Sequence, residues 1–159
     1  MRRSCLLALM LLAAPPGAVG AQPPSDTAAV VRAAQSLFDA MGRRDTTAIR
    51  AVLLPHAQLV GIRSAADSVV RPTSADQFVR AFAPGGPPML ERMWAPEVRF
   101  EGPLASIWAP YDFYREGRFS HCGIDAFHLI RRPDGWKIAG IVYTVQPTGC
   151  PPNPLGPPD

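Results

Sequence analysis

The spacing of the apolar residues changes once along this chain, from the helical period before position 83 to the strand period of two after position 88. The segment between them, APGGPP (83–88), has the composition of a turn or loop. A chain of 159 residues has the length of one domain. Helices first and strands afterwards therefore predict an α+β fold, with the helices on one face of an antiparallel sheet.

Three helices and one short strand are expected in the first half. The helices run from a cap at Ser25 or Asp26 to about Met41, from a cap at Asp45 to Leu54, and from a cap at Thr73 or Ser74 through ADQFVRAFA (75–83). The strand is QLVGI (58–62). The apolar stripe of the first helix consists of Val30, Ala34, Leu37, Phe38 and Met41.

Four long strands are expected in the second half, over residues 89–101, 104–115, 118–132 and 136–146. The end of the chain, QPTGCPPNPLGPPD, contains six prolines in 14 residues. Proline has no backbone N–H for a ladder and breaks helices, so residues 147–159 are predicted to form an extended tail. The folded domain is predicted to span residues 22–146.

The N-terminus MRRSCLLALMLLAAPPGAVGAQ has the three parts of a secretory signal, namely two arginines, a short apolar stretch and small residues. We expect cleavage after Ala21, with Gly20 as the alternative site and an uncleaved anchor as the competing interpretation. Cleavage removes two arginines and lowers the formal charge from +3 to +1. We therefore expect a secreted or periplasmic protein that binds neither nucleic acid nor, after cleavage, a membrane.

Two cysteines remain in the mature chain, Cys122 and Cys150. An even number of cysteines in an oxidising compartment predicts one disulfide between them, and two free thiols are the alternative.

Turn chemistry allows two hairpins to be registered. A two-residue turn at Glu116–Gly117 would place Asp112 opposite His121 and Trp108 opposite Asp125, with Tyr111, Ile124 and Ala126 on the other face. A turn at Pro133-Asp134-Gly135 would place Asp125 opposite Tyr143 and Phe127 opposite Ile141. A slip of one residue in either turn would exchange the faces.

The face that mixes aromatic and polar residues is the candidate pocket. Asp125 and His121 are the candidate catalytic residues, and the candidate ligand-binding residues are Trp108, Asp112, Tyr114, Phe127 and Tyr143. A structural aspartate and an ion pair between His121 and Asp112 at the rim are the competing interpretations. No phosphate loop, serine elbow or metal-ligand spacing is present, so neither a metal nor another cofactor is expected.

Three stretches resemble the nuclear transport factor 2-like superfamily, also called SnoaL-like or ketosteroid-isomerase-like, and an exported bacterial subgroup of it. They are SLFDAMGRRDTTAIRAVLLPHAQLVGI (36–62), WAPEVRFEG (94–102) and APYDFYREGRFSHCGIDAFHLIRRPDGWKIAGIVYT (109–144). The resemblance covers about residues 26–146. It implies a cone of three helices on a strongly curved, mostly antiparallel sheet, with a pocket at its open end. It also implies homodimers through the outer sheet face.

Such cones include enzymes and non-catalytic proteins, so the resemblance leaves three functions open. The first is an exported protein that binds a small apolar or aromatic molecule. The second is an isomerase or dehydratase with Asp or His as general base. The third is a dimeric structural or interaction module whose cone is filled by side chains such as Trp94, Trp108 or Phe113.

Overall fold

The computed structural model describes residues 26–63 and 69–158. The predicted signal segment, residues 1–21, and the proposed cap at Ser25 lie outside the described residues. Within them, no helix is long and apolar enough to cross a bilayer.

Within residues 26–63 and 69–158, three helices form where local capping and periodicity predict them: α1 (Asp26–Arg43), α2 (Thr46–Val52) and α3 (Ala75–Ala81). The predicted stripe of α1 is buried, which confirms that this face packs on the core. The Asp45 side chain accepts a hydrogen bond from the Ala48 amide and so caps α2. Ser74 and Gln77 form a reciprocal capping box at the start of α3. The predicted extension of α2 to Leu54 is wrong, because the chain is already extended at Leu53.

In the described part of the chain, seven strands form one curved sheet: β1 (Leu53–Arg63), β2 (Val69–Ser74), β3 (Met89–Met93), β4 (Glu97–Glu101), β5 (Leu104–Arg115), β6 (Arg118–Arg132) and β7 (Gly135–Val145). Their order is β2-β1-β7-β6-β5-β3, with β4 also paired to β5. Only the β1–β7 pairing among these strands is parallel. The predicted α+β fold is therefore confirmed.

Two features of the sheet differ from the expectation. β2 was not predicted; its sequence VVRPTS contains a proline, which is tolerated here on an edge strand. The strand predicted over residues 89–101 is two strands. Ala95 adopts a positive φ of 43° just before Pro96, and this break lets β3 and β4 pair with different halves of β5.

The register between β5 and β6 agrees with the prediction only at the turn. Glu116 and Gly117 both have positive φ, and Arg115 lies opposite Arg118 as expected. A bulge follows, in which Tyr114 pairs with Phe119 but Phe113 pairs with His121, so Ser120 is the extra residue.

The pair of Tyr114 with Phe119 is as predicted, and the predicted pairs beyond the bulge are wrong by one residue. Asp112 lies opposite Cys122, and Ala109 lies opposite Asp125. Compared with the predicted register, the residues of β5 that precede the bulge lie on the opposite face of the sheet. Tyr111 therefore faces the helices, and Trp108 faces outward. The β6–β7 register is confirmed, with Asp125 opposite Tyr143 and Phe127 opposite Ile141.

The core lies between α1 and the concave face of the sheet. Phe127 and Ile107 from the sheet are buried there against Phe38 and Leu37 of α1. The rings of Phe38 and Phe127 meet edge to face with centroids 5.9 Å apart. This layer closes the narrow part of the cone and leaves the wider part to the functional site.

The C-terminal tail lies on the outer face of the sheet. The predicted disulfide between Cys122 and Cys150 is present and links the tail to β6. Further along, Asn153 donates a hydrogen bond to Asp112, and Arg92 donates one to the Gly156 carbonyl at 3.0 Å. The described part of the tail contains bends and one turn, in which the Gly156 amide donates to the Asn153 carbonyl, and it is tied to the sheet at several points.

Candidate functional site

A cavity of about 380 Å³ opens between the helices and the concave face of the sheet. Its walls are mainly apolar, and five phenylalanines contribute to them: Phe38, Phe78, Phe82, Phe113 and Phe127. Phe113 therefore lines the cone without filling it, and Trp108 lies outside it. A cavity of this size and character is typical of small-molecule sites.

One row of neighbouring residues crosses the concave face from the sheet edge to the floor. Arg71 on β2 pairs with Gly61 on β1, which pairs with Tyr143 on β7, which in turn pairs with Asp125 on β6. All four residues line the cavity. A Cβ on Gly61 would lie 2.9 Å from the Tyr143 hydroxyl oxygen, so the absence of a side chain there makes room for the phenol.

Asp125 lies at the floor and is only 2% exposed. Its Oδ2 atom has no hydrogen-bond partner among the described residues. Glu91 on β3 also lines the cavity, and the two carboxyl groups are close enough to hydrogen bond to each other. Two carboxylates contain only acceptors, so such a bond requires that the pair hold a proton.

The electrostatics of the floor favour that proton. Burial raises the pKa of Asp125 to about 7, although its hydrogen bond with Glu91 acts in the opposite direction. Burial also raises the pKa of Glu91 well above its usual range, and the nearby charge of Asp125 adds to the rise. The pair can therefore donate a hydrogen bond to a ligand or accept a proton from it near neutral pH.

Two phenols flank this pair. Burial, followed by the charges of Asp125 and Glu91, raises the pKa of Tyr111, and the same influences raise the pKa of Tyr143. Both phenols are thus protonated at neutral pH. The Tyr111 hydroxyl donates to the Thr144 carbonyl at 2.7 Å. It reaches across Gly123, where any Cβ would overlap the Thr144 carbonyl, so this contact draws β5 and β7 together over β6.

His121 forms part of the wall beside these groups. Its ring stacks on Phe113 with centroids 5.0 Å apart and meets the Tyr111 ring edge to face. Nδ1 lies 3.0 Å from the Ser120 hydroxyl. Burial lowers the pKa of His121, and the positive charge of Arg63 lowers it further. The imidazole is therefore mainly neutral at pH 7.

The structure brings together four of the seven residues predicted for the site. Asp125, His121, Phe127 and Tyr143 all line the cavity. The side chains form no cluster of three or more His, Cys, Asp or Glu that could hold a metal, as far as residues 26–63 and 69–158 are concerned.

The other three predicted ligand-binding residues, Trp108, Asp112 and Tyr114, lie on the opposite face. Trp108 is 55% exposed there. Asp112 accepts two hydrogen bonds from the guanidinium of Arg92, at 2.6 and 3.0 Å. Tyr114 packs under the same guanidinium and against Phe119. Their assignment to the pocket was wrong because the bulge at Ser120 reverses the faces of β5 relative to β6.

Sequence reasoning missed Glu91, Tyr111 and the arginines of the cavity rim. Glu91 had a usable signal, because MLERM alternates and places this carboxyl between Met89 and Met93 on one face of a strand. Tyr111 was assigned to the outer face by the same register error. Arg63, Arg71 and Arg115 had no sequence signal, since each is an ordinary polar residue near the end of a strand or on an edge strand.

The sequence and the fold were compared with those of known proteins. The sequence profile of the family described as "Putative lumazine-binding" matches residues 25–144. No curated protein sequence shows a significant match.

Three solved structures illustrate the similarity of the fold. An NTF2-like protein from Cytophaga hutchinsonii ATCC 33406 has a TM-score of 0.64 at 9% identity, covering 75% of this chain and 97% of that one. An NTF-2 like protein of unknown function from Silicibacter pomeroyi DSS-3 has a TM-score of 0.57 at 19% identity, covering 76% and 95%. A putative dehydratase from the NTF2-like family from Streptomyces avermitilis has a TM-score of 0.61 at 16% identity, covering 78% and 98%.

Replacing Asp125 by asparagine is expected to change how stability depends on pH. The pKa of Asp125 is raised by folding, so the native state binds more protons than the unfolded state between about pH 4 and pH 7, and the free energy of unfolding falls across that range. Asp125→Asn removes this decrease in the free energy of unfolding, which is on the order of 3 kcal/mol. Urea unfolding at pH 4.5 and pH 8 measures it. Asp39→Asn, on the exposed side of α1, should behave as the wild type, and identical pH dependence of all three proteins would contradict the assignment.

Proposed function

The chain belongs to the family described as putative lumazine-binding and has the NTF2-like fold, and from that premise we propose that its cavity binds a small, mostly apolar ring molecule. The ligand has a hydrogen-bonding group at its inner end, which meets Asp125 and Glu91. Its ring lies between the phenylalanines of the walls. The family description names a small molecule as ligand, which agrees with this proposal.

One observation carries the proposal. Asp125 Oδ2 is buried at the floor of an otherwise apolar cavity with no donor among the described residues. A buried acceptor without a donor is unfavourable by about 1–3 kcal/mol. A ligand N–H or O–H placed there would remove that penalty, and the proton held by the carboxyl pair could serve a neighbouring carbonyl or ring nitrogen. The floor is thus complementary to a ligand edge that has a donor and an acceptor side by side.

Binding of the neutral fluorophore N-phenylnaphthylamine tests the pocket. We expect it to bind with increased emission, because its rings match the apolar walls in size and character. Gly61→Ala should weaken binding at least about fivefold, since the added methyl group enters the space of Tyr143. The control is Gly140→Ala, a glycine of β7 outside the cavity. Thermal melting verifies that both variants fold, and equal affinities would count against the pocket as the binding site.

A proton-transfer reaction is the second candidate function. The observation that favours it is the pKa of Asp125, about 7, in a cavity where a substrate would displace water. A base with this pKa can remove a proton from a carbon next to a carbonyl at neutral pH. In this reaction Asp125 gains the proton and the substrate becomes an enolate, while neutral His121 is placed to exchange protons with the substrate. This is the chemistry of an isomerase or dehydratase.

Hydrogen–deuterium exchange of β-tetralone tests the second candidate. The protein should accelerate deuterium incorporation next to the carbonyl, with a rate that rises as the pH passes about 7 and Asp125 ionises. Asp125→Asn should lose about 100-fold or more of the acceleration, and His121→Ala should also reduce it strongly. Asp39→Asn is the matched control. Undiminished exchange in Asp125→Asn would contradict the proton-transfer function and would not affect the proposal that the cavity binds a ligand.

We also propose that the protein is exported and forms a homodimer through the outer face of its sheet. The disulfide between Cys122 and Cys150 is compatible with an oxidising compartment. Four apolar residues lie side by side across adjacent strands of the outer face: Trp108, Ala126, Val142 and Val60. Trp108 and Val142 are exposed. Burial of such a row in a two-fold interface would remove apolar area from water.

Native mass spectrometry of the protein recovered from the periplasm of a bacterial host tests both points. We expect a dimer of chains that begin at Gln22, each with the mass of one closed disulfide. Trp108→Glu should raise the dissociation constant at least about tenfold. Phe100→Glu, an exposed aromatic residue outside the row, is the control. A monomeric wild type, or a chain that retains Met1, would disprove the corresponding part.

A further inference from the structure

Three arginines from three different strands converge on the mouth of the cavity. Arg63 is the last residue of β1, Arg71 lies on β2, and Arg115 is the last residue of β5. All three line the cavity, and all three are exposed at its rim. Arg63 and Arg71 lie on consecutive paired strands, whereas Arg115 is far from both in sequence and reaches the same opening only in the folded sheet.

None of these guanidinium groups forms an ion pair or a side-chain hydrogen bond with another residue in 26–63 or 69–158. Other arginines of the chain do have partners, such as Arg92 with Asp112 and Arg50 with Asp76. The rim groups therefore keep donors directed to solvent or to an incoming molecule.

The acidic residues of the cavity do not neutralise this rim. Glu91 and Asp125 are the carboxyl groups among the described lining residues, and both lie on the inner side, where burial raises the pKa of each. Three positive charges at the mouth thus face at most two negative charges at the floor. Arg63 already lowers the pKa of His121 inside the cavity, so its field reaches the wall. A positive potential at the mouth of an apolar cleft concentrates anions there.

We infer that the natural ligand is an organic anion, an apolar ring compound whose carboxylate, sulfonate or phosphate lies at the rim against Arg63, Arg71 and Arg115. This inference rests on the proposed binding function and adds the charge and the direction of the ligand. The ring lies among the phenylalanines, the neutral hydrogen-bonding edge meets Asp125 and Glu91, and the charged group stays at the mouth. The reverse orientation would place an anion against the carboxyl pair and is unfavourable.

The geometry of the donors supports an oxyanion at this position. A guanidinium group binds a planar or tetrahedral oxyanion through two parallel N–H donors, and such charge-assisted bonds are among the stronger ones in proteins. Because the rim is exposed, each arginine contributes modestly, and the sum of three decides the preference. A neutral ligand of the same shape would gain only the contacts of the apolar walls.

Two matched fluorophores test the inference. Anilinonaphthalene sulfonate has the same rings as N-phenylnaphthylamine and one additional sulfonate. We expect the sulfonate to bind the purified protein at least about tenfold more tightly than the neutral compound at low salt. Its affinity should fall as salt rises to 0.3 M, a concentration at which charges are screened within roughly 6 Å, whereas the affinity of the neutral compound should not fall.

Variants of the rim arginines test whether these residues cause the tighter binding of the sulfonate. Replacing all three rim arginines by glutamine (Arg63→Gln, Arg71→Gln and Arg115→Gln) should lower the affinity for the sulfonate about tenfold or more and leave the neutral compound within twofold. The control removes the same charge elsewhere, with Arg32→Gln, Arg43→Gln and Arg99→Gln, none of which lines the cavity. That control should shift sulfonate binding less than twofold.

The outcomes separate the two proposals. If the neutral compound binds in the cavity and the sulfonate binds no more tightly, or if the rim variant and the control lose affinity equally, the anion inference is overturned and the binding function stands. If neither compound binds, the binding function is overturned, and the inference with it. Since the rim residues are exposed, the variants should melt as the wild type does, and the salt dependence of the unmodified protein provides a test that needs no variant.

Discussion

Side chains alternate between the two faces of a strand, so the single extra residue at Ser120 sets the composition of both faces of this sheet. Because of this bulge, Tyr111 lies on the concave face beside Asp125, and its hydroxyl reaches the Thr144 carbonyl across Gly123. Without the bulge, Trp108 would face Asp125 across the strand pair inside the cone. The cavity and the outer face both depend on this one local irregularity.

The site separates two kinds of charge in space. At the floor, burial makes ionisation of Asp125 and Glu91 unfavourable and raises the pKa of both carboxyl groups. At the rim, guanidinium groups remain hydrated and charged. The apolar walls between them keep the two regions apart and lower the local dielectric constant, which strengthens any polar contact that a ligand makes at the floor. Under the proposed binding function, such an arrangement would select a ligand by the order of its chemical groups along its length.

The outer face has two regions with different roles. On one side, the disulfide, the hydrogen bond from Asn153 to Asp112 and the hydrogen bond from Arg92 to the Gly156 carbonyl fix the tail to the sheet. Asn153 and Arg92 together cover the buried Asp112 carboxylate. This explains why Asp112 is buried although it faces away from the core: its charge is balanced by Arg92. On the other side, the row of apolar residues that includes Trp108 remains uncovered. The tail thus protects one part of the face and leaves the other available.

Most of the secondary structure could be predicted from local signals, because each depends on a few neighbouring residues. The caps at Asp45 and Ser74, the apolar stripe of α1, the turn at Glu116–Gly117 and the long strands β5, β6 and β7 all belong to this group. The second hairpin also has the predicted register. The strand β2 could not be predicted in the same way, because only its place at the sheet edge makes a proline there acceptable.

The same distinction between local signals and long-range contacts applies to the candidate site. The fold class, the disulfide, and the placement of Asp125, His121, Phe127 and Tyr143 on one face could be predicted from the sequence, since these follow from periodicity, cysteine number and one correct turn. The position of Tyr111 beside them, the neighbourhood of Glu91 and Asp125, and the three arginines at the mouth depend instead on how distant strands meet in the fold. Those contacts join residues from separate strands of a curved sheet, and a shift of one residue at a bulge, which has no strong local sequence signal, changes all of them at once.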